Sequence, residues 1–182
     1  IGHEGPGSIL SLLKSKQWAL GLTAGSGING SNFKDFNISI SLSEMGAINI
    51  NEIISIVFAY INLLKKAPLN EQYYKEKKAL AELSFCYQEK LSPLDSVSQL
   101  VINMQHYPEI DYIFGDYVME GQNQITLTTL LDYLVASNMR IVSIDKNSPD
   151  MPHSNTSKWY QVPYSVKNIA HKKIEQWQQS ET

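Results

Sequence analysis

The chain opens with a glycine- and proline-rich stretch, residues 2–8, that leads directly into a helical hydrophobic pattern. Apolar residues recur at helical spacing immediately afterwards, at Ile9, Leu10, Leu12 and Leu13. Lys14 and Lys16 follow near the end of this pattern, where the negative end of a helix dipole favours cations. The pattern therefore predicts a short amphipathic helix that begins just after the glycine-rich stretch.

Two extended segments follow this helix. Residues 18–24 mix apolar and small side chains, and residues 25–32 are rich in glycine, serine and asparagine, which is typical of a turn or loop. Between Phe36 and Leu42, apolar residues alternate with polar ones, which is the period of a strand with one face in solvent. We predict a β-hairpin from these two segments.

Three helices are predicted between residues 49 and 108. Asn49 is placed to cap the first, with Glu52 completing a capping box and Pro68 ending the helix. Asn70 is placed to cap a charged second helix, and Pro93 opens the third. Each has an apolar stripe: Ile50, Ile53, Ile54, Val57, Ile61 and Leu64 in the first; Tyr73, Leu80, Leu83 and Tyr87 in the second; Leu94, Val97, Leu100, Val101 and Met104 in the third.

The remainder of the chain gives weaker signals. Residues 109–123 show no clear period and receive no assignment, while the leucines of residues 127–134 predict a short helix. The β-branched residues at 139–144 predict a strand, residues 146–157 a polar loop, and residues 159–164 a final strand.

Strands toward both ends, with helices between them, favour an α+β fold over a repeated βαβ plan. We expect a small antiparallel or mixed sheet with helices packed on one face. With 182 residues, 43% of them hydrophobic, the chain can fill one core. We assign this domain to residues 1–165 and expect residues 166–182 to form a helix or a linker toward a following domain. The start at an apolar residue without an initiator methionine suggests a piece of a longer polypeptide.

Composition excludes several classes of partner. The net charge of −3 is mild and spread along the chain, so neither a nucleic acid nor an anionic membrane surface is expected. No apolar run approaches the roughly 20 residues that cross a bilayer. Cys86 is the single cysteine, so an intrachain disulfide is impossible, and we expect it to be a buried, unreactive thiol.

The histidines do not form a recognisable metal motif. The chain has four of them, His3, His106, His153 and His171. No pair has the His-x-x-Glu-His spacing, in which two imidazoles hold zinc and the glutamate activates water. We therefore expect neither a metal site nor a catalytic residue in this chain.

Several separated motifs resemble those of the M16 zinc metallopeptidases of the pitrilysin and insulin-degrading enzyme type. They occur in order along nearly the whole chain: Gly2-His3-Glu4-Gly5-Pro6-Gly7-Ser8, Leu13-Lys14-Ser15-Lys16 with Trp18, Leu22-Thr23-Ala24, Phe58-Ala59-Tyr60-Ile61-Asn62-Leu63-Leu64, and Trp159-Tyr160. The resemblance is to the second, non-catalytic domain of those enzymes and implies a mixed sheet covered by helices.

The resemblance also implies a function and a site. This domain would line the chamber of a zinc endopeptidase and hold the N-terminal end of a peptide substrate at an exosite. The site would consist of Gly2, His3 and Glu4 on one side and Leu22, Thr23 and Ala24 on the facing strand. A strand edge can hydrogen-bond an extended peptide, and the Glu4 carboxylate can pair with an α-ammonium group. A second interpretation is that residues 2–8 only pack the helix start against the sheet, with Glu4 compensating the helix dipole.

The chain departs from the family pattern at two positions of this region. Ala24 stands where insulin-degrading enzyme has glycine, and Gln17 replaces the glycine usual before the tryptophan. By resemblance, the zinc belongs to a preceding domain, the chain alone would be inactive, and the parent protein would reside in a Gram-negative periplasm. An alternative role is a structural M16-like subunit that binds no substrate. We further expect contacts with neighbouring domains and self-association of the isolated chain through apolar surface left bare at its two termini.

Overall fold

The computed structural model describes residues 1–30, 32–67, 70–121, 123–145 and 155–181. The chain divides into two compact units, one made of Ile1–Ala67 with Leu130–Thr182, the other of Pro68–Thr129. The first unit contains α1 (Ile9–Ser15), β1 (Ala19–Asn29), β2 (Lys34–Leu42), α2 (Glu44–Ile48), α3 (Ile50–Lys66), a 3₁₀ turn (Ala136–Asn138), β3 (Asn155–Thr156), β4 (Pro163–Tyr164) and α7 (His171–Gln178). The second contains α4 (Glu71–Cys86), α5 (Pro93–His106) and 3₁₀ turns at Glu109–Asp111 and Gly115–Tyr117, and α6 (Gln124–Asp132) crosses the division.

The core of the first unit lies between the hairpin and the helices. β1 and β2 pair antiparallel, with Leu22 opposite Ile40, and the apolar side of this hairpin packs on α1. α3 contributes the largest share of the core and packs against α1 and α7, whose Trp177 is buried. The buried apolar residues of this core are Ile9, Leu10, Leu13, Ala19, Leu22, Ile53, Val57, Phe58, Ile61, Ala136 and Trp177. The α+β prediction with helices on one side of a small sheet is confirmed.

The second unit is held together by aromatic and polar contacts. The ring of Phe85 meets that of Phe114 edge-on, with centroids 4.9 Å apart, and that of Tyr117 at 5.4 Å. Asn103 is buried, and its amide donates to the Tyr112 carbonyl at 2.8 Å while its oxygen accepts from Gln99 at 3.1 Å. A buried amide with both ends paired ties α5 to the turn that follows it.

Most predicted helices are confirmed, but the capping of α3 is not as predicted. Ser8, Asn70 and Ser92 cap α1, α4 and α5 through side-chain oxygens. Asn49 does not cap α3, because it also ends α2 and its backbone is not extended. Its side-chain amide donates instead to the Met45 carbonyl at 2.7 Å. The prediction that Pro68 ends α3 lies outside the described residues.

The hairpin is longer than the sequence indicates. Residues 25–29, predicted as loop, continue β1 because they find partners on β2: Gly25 pairs with Asn37 and Ser26 with Phe36. A register irregularity follows between Ser26 and Asn29. Small polar residues have weak strand propensity, but backbone pairing with a neighbouring strand overrides it.

Two predictions in the C-terminal part are wrong. Residues 139–144 form no strand, because β-branched residues need a partner strand and none of the described residues pairs with them. Trp159 and Tyr160 lie in a turn, so only Pro163–Tyr164 of the predicted final strand is extended. That turn depends on Gln161, which has φ +53° and donates its amide hydrogen to the Ser157 carbonyl at 3.0 Å. Most of the predicted loop at 146–157 lies outside the described residues.

The apolar stripes of α4 and α5 are exposed, although their helical period predicts buried sides. Leu94 is 76% exposed, and Val97, Val101 and Met104 are each at least half exposed on the same helix. On α4 the predicted stripe is exposed as well, including Tyr73 at 68%. Cys86 is exposed, so its predicted burial is wrong. The helical period correctly identifies these elements, but the described chain does not cover their apolar sides.

Candidate functional site

The turn between α1 and β1 has a left-handed residue at Gln17. This residue has φ +60°, a conformation that favours glycine. Its amide donates to the Lys14 carbonyl and the Trp18 amide donates to the Leu13 carbonyl, each at 2.9 Å. These two bonds form a Schellman motif, in which the left-handed residue after the helix is usually glycine. Gln17 adopts this conformation although it carries a Cβ.

Ser43 fixes the position at which β1 begins. Its hydroxyl donates to the Gln17 carbonyl at 2.5 Å, and its amide donates to the Trp18 carbonyl at 3.1 Å. The same hydroxyl accepts the Gly46 amide at 3.0 Å and so caps α2. Gly46 lies so close that a Cβ there would collide with the Trp18 carbonyl oxygen. The backbone that leads into β1 is therefore held by hydrogen bonds from Ser43 and by close packing against Gly46.

The three residues predicted on the facing strand lie in the middle of β1. Leu22 is 4% exposed and points into the core, Thr23 is exposed, and Ala24 is half-buried. Within the described residues, β1 pairs with β2 alone. The other edge of β1 is therefore not used by a strand of the described chain.

Gly2, in the glycine-rich opening stretch, lies against β1 at Ala24. A Cβ at Gly2 would lie 3.2 Å from the Ala24 carbonyl oxygen and 3.4 Å from its amide nitrogen. The absence of a side chain thus permits close approach of the two backbones. The structure brings together two residues that the sequence separates widely, and both were predicted as site residues.

His3 and Glu4 are both exposed beside this contact. The Gly5 amide donates to Nδ1 of His3 at 3.2 Å, which orients the imidazole over Gly5 and leaves Nε2 as the other polar atom of the ring. Glu4 lies four residues before Ser8, the cap of α1, so it is outside the first turn of that helix. Its carboxylate is reachable from solvent.

A shallow depression of about 280 Å³ opens next to the same part of the hairpin. Its lining is mostly short and polar: Thr23, Ala24, Gly25, Ser26, Asn37 and Ser39. Thr23 pairs with Ser39 and Gly25 with Asn37, so these four lie on the side of the hairpin away from the core. Sequence reasoning did not select Gly25, Ser26, Asn37 or Ser39, although their polarity in the strand alternation was the available signal.

The described residues do not assemble a zinc site. No group of three or more histidine, cysteine, aspartate or glutamate side chains comes together within them. Nδ1 of His171 and the carboxylate of Glu175 approach to 3.8 Å on the exposed side of α7, a contact between two side chains that is ionic only when the imidazole carries a proton. His153 lies outside the described residues. In the described ranges, no helix has both the length and the apolar composition needed to cross a membrane.

Comparison with known families gives the class of protein. The family description "Middle or third domain of peptidase_M16" matches residues 85–182, more than half of the chain. The chain belongs to the M16 peptidase family and is a middle domain of that family's proteins. The assignment made from separated motifs is therefore confirmed.

Individual relatives agree with this assignment. The chain is 33% identical over 180 residues to insulin-degrading enzyme-like 1, peroxisomal, of Arabidopsis thaliana, and 31% identical over 181 residues to human insulin-degrading enzyme. The matches cover 99% and 100% of this chain and 18% of each relative. Human nardilysin is 32% identical over 181 residues, covering 97% of this chain and 16% of the relative.

The same fold is found in a solved structure. The crystal structure of pitrilysin superposes with a TM-score of 0.85 and 25% sequence identity, over 99% of this chain and 19% of that one. The chain thus spans less than a fifth of the length of the relatives it matches.

Proposed function

We propose that this chain is the substrate-anchoring, non-catalytic part of a pitrilysin-like zinc endopeptidase. Its role is to hold the N-terminal end of a peptide on the free edge of β1 while a preceding domain, which carries the zinc, cleaves the peptide. The observation that carries this proposal is the placement of Gly2 against Ala24, next to a strand edge that no described strand occupies. The chain itself contributes binding and orientation in this scheme.

The chemistry of the residues supports an extended peptide as the ligand. The outer edge of a strand offers alternating amide hydrogens and carbonyls, which an added strand satisfies. The exposed carboxylate of Glu4 lies two residues from Gly2 and can neutralise an α-ammonium group. Ala24 presents only a methyl group in place of the glycine of insulin-degrading enzyme, so this part of the edge has less free space for a peptide backbone.

The sharpest test compares peptides that differ only at the N-terminus. In the protein that contains this chain, Glu4→Gln is expected to weaken binding of a peptide with a free N-terminus by about two- to fivefold, the value of an exposed ion pair. The N-acetylated form of the same peptide lacks the α-ammonium, so its affinity should be unchanged. Fluorescence anisotropy with both peptides gives the two ratios directly.

Glu82→Gln is the matched control, because it makes the same change of charge at an exposed position of α4. It should alter neither affinity. Equal losses for the free and acetylated peptides in Glu4→Gln would remove Glu4 from the anchoring role. The remaining interpretation would then be that residues 2–8 serve only to pack α1 against the hairpin.

The alternative role is a structural M16-like subunit that binds no substrate. The sequence encoded before this chain in the gene distinguishes this role from the proposed function. A His-x-x-Glu-His motif there would indicate a protease, whereas its loss would indicate a scaffold. A periplasmic location of the parent protein is part of the same proposal, and fractionation of cells that express the full gene tests it.

A further inference from the structure

Asp35 lies in an unusual environment on the solvent side of the hairpin. Its Oδ1 atom is shielded from solvent and has no hydrogen-bond partner among the described residues. Among the described residues, its Oδ2 atom receives a long contact, 3.5 Å, from the side-chain amide of Asn37. The residue as a whole is half-buried, and the contact between Oδ2 and Asn37 is exposed, so a ligand can reach the carboxylate at Oδ2. A carboxylate with a desolvated, unpaired oxygen gains more from a cation than a fully hydrated one does.

The carboxylate of Asp35 extends across β1. A Cβ at Gly27 would lie 2.6 Å from Oδ1 and 3.0 Å from Oδ2 of Asp35. The group therefore occupies the space that a side chain on β1 would fill, at the irregularity between Ser26 and Asn29. Although Asp35 belongs to β2, its charge is presented above β1, the strand with the free edge.

Access to this charge from that free edge is open. Gly25, the next residue of β1 on the same side, has no atom of the described residues within 4 Å of a Cβ position. The depression lined by Thr23, Gly25 and Asn37 adjoins it. A peptide added to the edge of β1 would run about 4.8 Å away from it. A long side chain of that peptide could cross the glycine surface and bring its charged end to Asp35.

We propose that Asp35 selects a basic side chain, arginine or lysine, near the N-terminus of the bound peptide. The inference rests on the proposed function, because it assumes that the peptide occupies the edge of β1. Ala24 and Gly27 are three residues apart, about 10 Å along a strand. If the N-terminus is anchored near Ala24, the basic residue is the third or fourth of the peptide. The alternation of a strand then decides which of these two faces Asp35.

The test removes the charge of the peptide side chain and the charge of Asp35 separately, and compares the resulting affinities. Peptides with a free N-terminus carry arginine at the third or the fourth residue, and each has a partner with citrulline, a neutral side chain of the same shape. We expect the protein to bind one arginine peptide about fivefold tighter than its citrulline partner. In Asp35→Asn this ratio should fall to about one, with little change in affinity for the citrulline peptide.

Two further variants make the result specific. Gly27→Ala places a methyl group against the Asp35 carboxylate and the Asn37 amide, so it should displace the carboxylate and also reduce the ratio. Glu82→Gln should leave the ratio at its original value. Thermal unfolding of each variant checks that the fold is kept.

The possible outcomes separate this inference from the proposed function. An unchanged arginine-to-citrulline ratio in Asp35→Asn overturns the role of Asp35, even when peptides bind and Glu4→Gln has its expected effect. No preference for arginine at either position in the unmodified protein overturns it as well. Absence of peptide binding, or binding insensitive to both Glu4→Gln and N-acetylation, overturns the proposed function and this inference together.

Discussion

Replacement of Gln17 by glycine should stabilise the first unit, although it removes a side chain. Gln17 has φ +60° and is exposed, and both hydrogen bonds of its Schellman turn use backbone atoms. The Ser43 hydroxyl also binds the backbone carbonyl of this residue. Glycine therefore retains the Ser43 contact and both turn bonds while removing the clash between the Cβ and the following carbonyl.

The magnitude follows from two opposing terms. A residue with a Cβ loses roughly 1–2 kcal/mol in the left-handed conformation. Glycine offsets about 0.4–1 kcal/mol of this gain, because it raises the conformational entropy of the unfolded chain. The net gain for Gln17→Gly is about 0.5–1 kcal/mol. For a chain of this length that corresponds to a rise in melting temperature of about 1–4 °C.

The assay uses the position of the tryptophans. The chain has three, Trp18, Trp159 and Trp177, and all lie in the first unit, so tryptophan fluorescence during urea unfolding reports on that unit. Gln17→Ala is the control, because it removes the same side chain but keeps the Cβ and should show no gain. Equal stability of the alanine and glycine variants would refute the argument from backbone strain.

Four other predictions follow from the packing. Gly46→Ala should cost about 2–3 kcal/mol, measured by urea unfolding, because the new methyl group meets the Trp18 carbonyl, which is backbone and cannot move aside. Asn103→Ala should cost about 2 kcal/mol in the second unit, measured by hydrogen exchange of α5, because it leaves a backbone carbonyl without its donor. The pKa of Tyr107 is raised by its hydrogen bond to the Asp116 carboxylate, so the stabilisation is complete below the unfolded value near 10 and is lost as the pH rises through the higher folded value. The difference in absorbance at about 295 nm between the protein and Tyr107→Phe measures this titration. Finally, the isolated chain should self-associate through the apolar side of α5 in sedimentation velocity.

Each of these four predictions has a control variant or an outcome that would contradict it. Gly25→Ala should be nearly neutral, since its Cβ would meet no atom of the described residues within 4 Å. Gln105→Ala, at an exposed position of the same helix as Asn103, should leave hydrogen exchange unchanged. An unaltered titration of Tyr107 in Asp116→Asn would contradict the assigned cause of the shift. A strictly monomeric chain at high concentration would contradict self-association.

Helices were the most predictable part of the fold, because their signals are local. The caps at Asn70 and Ser92 and the apolar period of α3 can each be recognised within a few neighbouring residues. Strands depended on partners elsewhere in the chain. Residues 25–29 became strand because β2 pairs with them, and residues 139–144 did not because no described strand does. Cross-strand pairing is not encoded in the local propensity of either segment.

The amino-acid sequence by itself determined the family and most of the helical elements. Only the tertiary structure decided that Gly2 lies against Ala24, that Gln17 takes a glycine conformation, and that Asp35 extends over Gly27. Local pattern follows from side-chain polarity and backbone preference over a few residues. Proximity across the chain arises only when burial of the common core brings distant segments together.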